Sequence, residues 1–231
     1  MRLNSNPLIL SVETATLAGS VALSRSDEVL ASLSGDSAVS HSNTLLSDID
    51  KVLAEAQVEL ADVDLFAVAT GPGSFTGLRI GIATVKGLAA TLDRPTAGVP
   101  TLHAVALAAG PSPRSVALLP AGRGEVFAQL FSVSEDGLVT ELDKATHISP
   151  SRLLEKYSSL ESVLWCGDGA IANKALLEER ASPEGRIAPA VTNLATYIAR
   201  LALMKFREKQ LVHPDALQAI YVRPSDAELK V

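Results

Sequence analysis

Apolar and polar positions along the 231 residues follow two kinds of period, and their order repeats once. Short runs of β character come first: Leu8 to Val12, Gly19 to Ser24 and Glu28 to Leu33, with Ser24-Arg25-Ser26-Asp27 supplying turn chemistry between the last two. The period then lengthens. Leu45, Leu46, Ile49, Val52, Leu53 and Ala56 recur at helical spacing behind Ser40 or Ser42 as N-cap candidates, and Asp62 to Asp64 ends the segment. Leu65 to Thr70 is a strand that delivers the chain to a glycine-dense turn. From residue 115 the plan recurs: Ser115 to Leu119, an alternating Glu125 to Val133, an Asp136-Gly137 turn, and Leu138 to Leu142. A helix over Ser151 to Tyr157 follows, then a strand from Val163 to Cys166 that runs into Gly167-Asp168-Gly169. Glu184 to Pro189 reads as a loop, and Asn193 to Lys209 as a helix whose basic C-terminal end complements its dipole.

Each half therefore runs as a three-strand meander, a helix, and a strand ending in glycines before a helix. A repeat of pattern without a repeat of residues suits an α/β fold of the actin-like (ASKHA) class, two ribonuclease H-like subdomains with mixed β-sheets flanked by helices. Pro100, Pro111, Pro113 and Pro120 cluster between the halves. The predicted division is 1–108 and 109–231, with the last helix able to cross back to the first subdomain.

The turn itself, Gly71-Pro72-Gly73-Ser74-Phe75-Thr76-Gly77-Leu78-Arg79, has the look of a phosphate cradle. A Walker A loop needs Gly-x4-Gly-Lys-Ser/Thr, and no lysine follows at that spacing from Gly71 or Gly73. The dinucleotide fingerprint fails too, because its third glycine arrives one residue late. What remains is a turn that sets the angle of the next helix. That helix is odd: between Leu78 and Leu92 only Arg79 and Lys86 are charged, and Gly81 and Gly87 each cost about 1 kcal/mol relative to Ala. Leu78, Ile82, Val85, Ala89 and Leu92 form a seam of helix-to-helix packing, while Ile80, Gly87 and Leu88 lie on another side suited to a sheet. Two readings stand: both sides pack inside one fold, or the seam receives another subunit.

A net charge of -6 argues against a chain that grips nucleic acid by itself. One cysteine, Cys166, excludes an intrachain disulfide, and no apolar run reaches the ~20 residues of a membrane span. A cytoplasmic protein with no membrane contact is expected. His41, His103, His147 and His213 are scattered without metal-ligand spacing, and Ser74 lacks a nucleophile frame, so neither a metal nor a catalytic residue is assigned. Glu13-Thr14-Ala15-Thr16 sits where an actin-like fold puts its first phosphate turn. An ordinary β-turn and a phosphate turn using Glu13, Thr14 and Thr16 both remain open, the second implying an actin-like ATP-dependent phosphotransferase or ATPase.

At these residues the chain resembles the TsaB family, a subunit of the bacterial machinery that makes threonylcarbamoyladenosine at position 37 of tRNA. The blocks that carry the resemblance are Ile9 to Thr14, His41 to Leu46, and above all Gly71 through Ala89. Weaker matches cover Gly124 to Phe127, Gly167-Asp168-Gly169 and Ala219 to Arg223. The resemblance implies a non-catalytic scaffold that binds and activates the TsaD transferase subunit and helps recruit the P-loop ATPase TsaE. An apolar seam left exposed is expected to pair with a second copy, giving a homodimer when the chain is alone, and the net charge of -6 leaves contact with tRNA only through the complex. The partner-binding residues it points to are Leu45, Leu46, Ile49, Leu53, Leu78, Ile82, Val85 and Leu92. TsaD carries a His-x3-His metal pair after its version of this helix, where this chain has Thr101 and Val105. The family's first strand usually ends in Asp rather than Glu13, and its Asp-Ala-Arg run is replaced by Pro120-Ala121-Gly122. No cofactor is therefore implied beyond weak nucleotide binding at a vestigial turn.

Overall fold

The computed structural model describes residues 5–36, 41–181 and 184–222, the side chains of 41–43 excepted. The chain divides into two compact units. Unit 1 takes the residues up to Thr101 together with Thr192–Ile220, and unit 2 takes Leu102–Val191. The division thus falls ahead of 108, and the segment holding the last helix belongs to unit 1.

Unit 1 contains β1 (Leu8–Glu13), β2 (Ser20–Arg25), β3 (Glu28–Ser34), α1 (His41–Glu55), β4 (Leu65–Gly71), α2 (Phe75–Thr91) and β5 (Thr96–Pro100). The chain continues through α3 (Thr101–Ala108), β6 (Ser112–Gly122), β7 (Glu125–Val133), β8 (Val139–Glu141), β9 (Thr146–Ile148) and α4 (Pro150–Lys156). Then come β10 (Leu164–Cys166), α5 (Asp168–Ala172), α6 (Lys174–Arg180) and β11 (Arg186–Ile187), before α7 (Ala195–Arg207) closes unit 1.

The two sheets have one topology. The first is ordered β3-β2-β1-β4-β5, and the second, read from its other edge, β8-β7-β6-β10-β11 with β9 paired to β7. The meanders are antiparallel in both, and the strands added beyond β1 and β6 are parallel. Parallel central strands are covered on both faces, which is why β1 and β4 are buried at every residue. Leu8, Leu10, Val12, Phe66 and Val68 join α1 and α2 in the main core of unit 1 through Leu45, Ile49, Leu53, Ile82 and Val85. Ser11, alternating with Leu10 and Val12, faces the other way and donates to the carbonyl of Ala195 at 2.8 Å, while Ser20 Oγ accepts the Ala195 N–H at 2.9 Å. These two bonds anchor the start of α7, whose Ile198, Ala199 and Ala202 are buried. Unit 2 has a separate core built from Val116, Leu118, Val126, Leu130, Leu153 and Trp165.

Several elements differ from the reading of the sequence. Glu184 to Pro189 holds β11, a two-residue strand fixed by backbone bonds from Arg186 N–H to Val163 O and from Ala188 N–H to Trp165 O, too short to leave a hydrophobic period. Strand β5, with Gly98 and Pro100, reads poorly as β, yet it pairs along β4 because Gly98 leaves room for Thr70 Cγ2 and Leu217 Cδ1, each closer than 3.0 Å to where a Cβ would lie. Ser40 falls outside the described residues, and Ser42 lies within α1 rather than ahead of it.

Cys166 ends β10 fully buried, and burial pushes its thiol up to about 12. A thiol that does not ionise does not attack disulfides or alkylating reagents. Native protein at neutral pH is expected to give no colour with a disulfide reagent, and guanidinium-unfolded protein one thiol per chain. Rapid labelling of the native form would show that β10 is not packed as described.

Candidate functional site

Three glycines four residues apart, Gly73, Gly77 and Gly81, carry the contact that organises the glycine turn. A Cβ on Gly73 would lie 2.5 Å from the Ala15 carbonyl oxygen. On Gly77 it would overlap the Thr14 carbonyl, and on Gly81 the Thr14 hydroxyl. Bare backbone therefore forms a row into which the β1–β2 turn is pressed. Two bonds fasten it: Ser74 N–H donates to Ala15 O at 2.8 Å, and the Thr14 hydroxyl donates to Gly77 O at 2.7 Å. Thr14 is buried.

The rest of the turn starts and aims α2. Ser74 is its N-cap, with Oγ accepting the Gly77 N–H at 3.2 Å. Gly71 has φ +112, and a Cβ there would press on the Ile220 carbonyl at 2.5 Å; its N–H donates to Thr101 Oγ1 at 3.1 Å. Arg79 is exposed and lies 3.9 Å over the Phe75 ring, and Thr76 is exposed beside it. From the helix interior Lys86 reaches out to cap the carbonyls of Asp215 and Leu217 at 3.2 and 3.1 Å. The sequence offered no sign of this last contact, because the partners are backbone atoms far along the chain.

The seam of α2 lies inward, not toward another subunit. Leu78, Ile82 and Val85 are buried in the core of unit 1, as are Leu45, Ile49 and Leu53 of α1. The expectation that those six meet another subunit is corrected: their helical spacing marks the face against the sheet. Of the remaining two, Leu46 is 61% exposed and Leu92 is half-buried against the core. Ile80 and Leu88 border the core, and Gly87, Ala83, Ala90 and Thr91 face outward. A Cβ on Gly87 would meet nothing within 4 Å. Gly87 thus carries the helix cost of a glycine with no packing among the described residues to offset it.

Glu13 closes the β1–β2 turn on itself. Its carboxylate accepts the backbone N–H groups of Ala15 and Thr16, the second at 2.7 Å, and the Thr16 hydroxyl at 2.7 Å. Unit 2 repeats the packing device: Gly167, at φ +89, and Gly169 lie against Leu118 and Leu119 at the equivalent place on β6. Its polar side chains form separate pairs, His103 with Glu141 and His147 with Glu125, each at 2.9 Å. Lys156 beside Asp143 holds that carboxyl below its ordinary value, and burial together with Asp143 raises Tyr157. Among the described residues no three His, Cys, Asp or Glu side chains come together to hold a metal ion. Thr101 binds the Gly71 N–H, and Val105 packs where a Cβ on Gly167 would fall, so both positions have packing roles. No helix among the described residues is long and apolar enough to cross a membrane.

Two sheets of one topology, each mixed and flanked by helices, define an actin-like α/β protein. The family model described as TsaD, tRNA N6-adenosine threonylcarbamoyltransferase, matches residues 35–200. The tRNA threonylcarbamoyladenosine biosynthesis protein TsaB of Bacillus subtilis is 27% identical over 226 residues, 96% of both chains. TsaB of Escherichia coli is 32% identical over 155 residues, 66% of this chain and 67% of that one. A Pseudomonas aeruginosa crystal structure, described as an uncharacterized protein with similarity to peptidase YEAZ, superposes with TM-score 0.81 at 26% identity, covering 94% of this chain and 100% of that one. The chain belongs to the TsaB (YeaZ) family.

The glycines of α2 should separate into two kinds. Gly77→Ala is expected to destabilise unit 1 by about 2 kcal/mol or more, because the Thr14 backbone has to move. Gly87→Ala should stabilise it by up to about 1 kcal/mol through helix propensity alone. Urea melts of the two variants check this, and equal effects at both positions would contradict the glycine row.

Proposed function

We propose that the chain is a non-catalytic subunit of the cytoplasmic system that threonylcarbamoylates adenosine in tRNA. It binds and activates a TsaD-like transferase, helps recruit a TsaE-like ATPase, and pairs with itself when alone. It reaches tRNA only through that complex. Family membership supports the pathway. The observation that carries the binding role is the outward face of α2, where Ala83, Gly87 and Ala90 are exposed and Gly87 meets no packing need among the described residues. Small residues on an exposed helix let a second helix approach closely, and the half-buried Ile80 and Leu88 give it an apolar border. Leu46 on α1, which packs beside α2, is a further exposed apolar side chain. The partner face is thus assigned to the outward residues of the same two helices rather than to their buried seam.

The non-catalytic role rests on side chains with other work. Thr101 and Val105, where the resemblance places the transferase's histidines, support backbone and packing. A reading as an ATP-dependent enzyme would have to use Glu13, Thr14 and Thr16, all of which are bonded within their own turn or to α2.

Co-purification with the TsaD-like subunit of the same organism tests the proposal. Wild type is expected to form a stable complex at micromolar concentration and to be required for tRNA threonylcarbamoylation by that subunit. Gly87→Gln and Leu46→Glu are each expected to weaken the complex by about tenfold or more, since a bulky or charged group enters the interface, while their thermal melts stay near wild type. Unchanged binding by both variants, or wild-type subunits that elute apart, would defeat it.

A further inference from the structure

The turn between β1 and β2 gathers its donors on one point. Successive backbone N–H groups of Ala15 and Thr16 converge on Glu13 Oε1, and the Thr16 hydroxyl reaches Oε2 at 2.7 Å. The Gly19 N–H donates to that hydroxyl oxygen at 3.3 Å, which leaves the hydroxyl proton aimed at the carboxylate. Adjacent N–H groups and a hydroxyl turned to one spot make a nest for an oxyanion. In this chain the oxyanion is covalently attached to the nest. Glu13 is 1% exposed, so its carboxylate depends on these donors in place of water.

We propose that Glu13 is the resident anion of a phosphate-binding nest, and that its carboxylate keeps inorganic phosphate, pyrophosphate and nucleotide phosphates out of the β1–β2 turn. A phosphate oxygen needs the same N–H groups that Oε1 occupies. It also meets the carboxylate charge in a low-dielectric setting, where repulsion at ~4 Å far exceeds its value in water. Thr14 does not compete, since its hydroxyl is committed to Gly77 O. With the turn seated on Gly73, Gly77 and Gly81, removing the charge lifts the repulsion and removing the side chain also empties the nest, so that an external phosphate can enter.

Amide spectra of the full 15N-labelled chain, titrated with pyrophosphate and separately with ATP and magnesium, test the assignment on wild type, Glu13→Gln and Glu13→Ser. Thermal melts identify which variants are folded. Wild type is expected to show no saturable shift at Ala15 or Thr16 up to about 10 mM ligand, and the folded variants a saturable shift there with at least a tenfold gain in apparent affinity, greatest for Glu13→Ser, which empties the nest. Wild-type shifts at those two amides would overturn the proposal. So would folded variants whose Ala15 and Thr16 amides stay silent, including the case in which Glu13→Ser is unfolded and Glu13→Gln, which keeps the side chain's shape, shows no gain.

Discussion

The seating of Thr14 and Ala15 on the backbone of Gly73, Gly77 and Gly81 is the contact on which unit 1 depends. It ties the end of β1 to the start of α2, and its Thr14–Gly77 bond spans 63 residues of sequence. The hydrophobic effect is non-directional, so apolar burial alone specifies the position of a helix less sharply than directional bonds do. Two directional bonds, Ser74 N–H to Ala15 O and the Thr14 hydroxyl to Gly77 O, fix the register. With α2 held, Val85 and Ile82 meet the sheet and α1 is packed beside them. Unit 2 solves the same problem in the same way, with Gly167 and Gly169 receiving Leu118 and Leu119. The repeat is therefore one of packing logic as well as strand order, and it survives with almost no shared residues because the shared requirement is the absence of a side chain.

That requirement also explains why the turn imitates a phosphate cradle. Glycines that admit a phosphate and glycines that admit another backbone are the same residues in sequence, and the difference lies in what approaches them. Here the approaching group is a carbonyl, at Ala15 and at Thr14, and the neighbouring N–H groups are already taken by Ser74 Oγ and by Ala15 O. The missing Walker lysine was the legible part of this answer. The identity of the group that fills the space was not legible, because Thr14 lies in a different segment and nothing local announces it.

The succession of strands and helices along the chain, the meanders and the duplicated plan were readable because long apolar periods depend only on burial. β5 and β11 were not readable, since one is shaped by Gly98 and the other is two residues long and held by backbone bonds. The orientation of α2 failed for a different reason. A helix apolar almost all round gives two arcs of similar hydrophobicity, and period alone cannot say which arc lies inward. Volume decides it: Ile82 and Val85 fill the space over β4 and β1, while a face bearing Ala83, Gly87 and Ala90 would leave a void there. The candidate partner residues shifted accordingly from large side chains to small ones on the same two helices.

Within α2 the glycines act as controls for one another. Gly77 and Gly81 each carry the intrinsic cost of glycine in a helix, offset by the buried Thr14 contact that only a bare backbone permits. Gly87 carries the same cost with open space beyond its Cα. Its neighbours do not use the room: Thr91 turns its hydroxyl back to Gly87 O at 2.8 Å, and Ala83 and Ala90 add no bulk. Two of three glycines on one helix are thus explained by contacts inside the chain. The third has no such contact among the described residues, and it lies on the outward face of the helix that the glycine row holds in place.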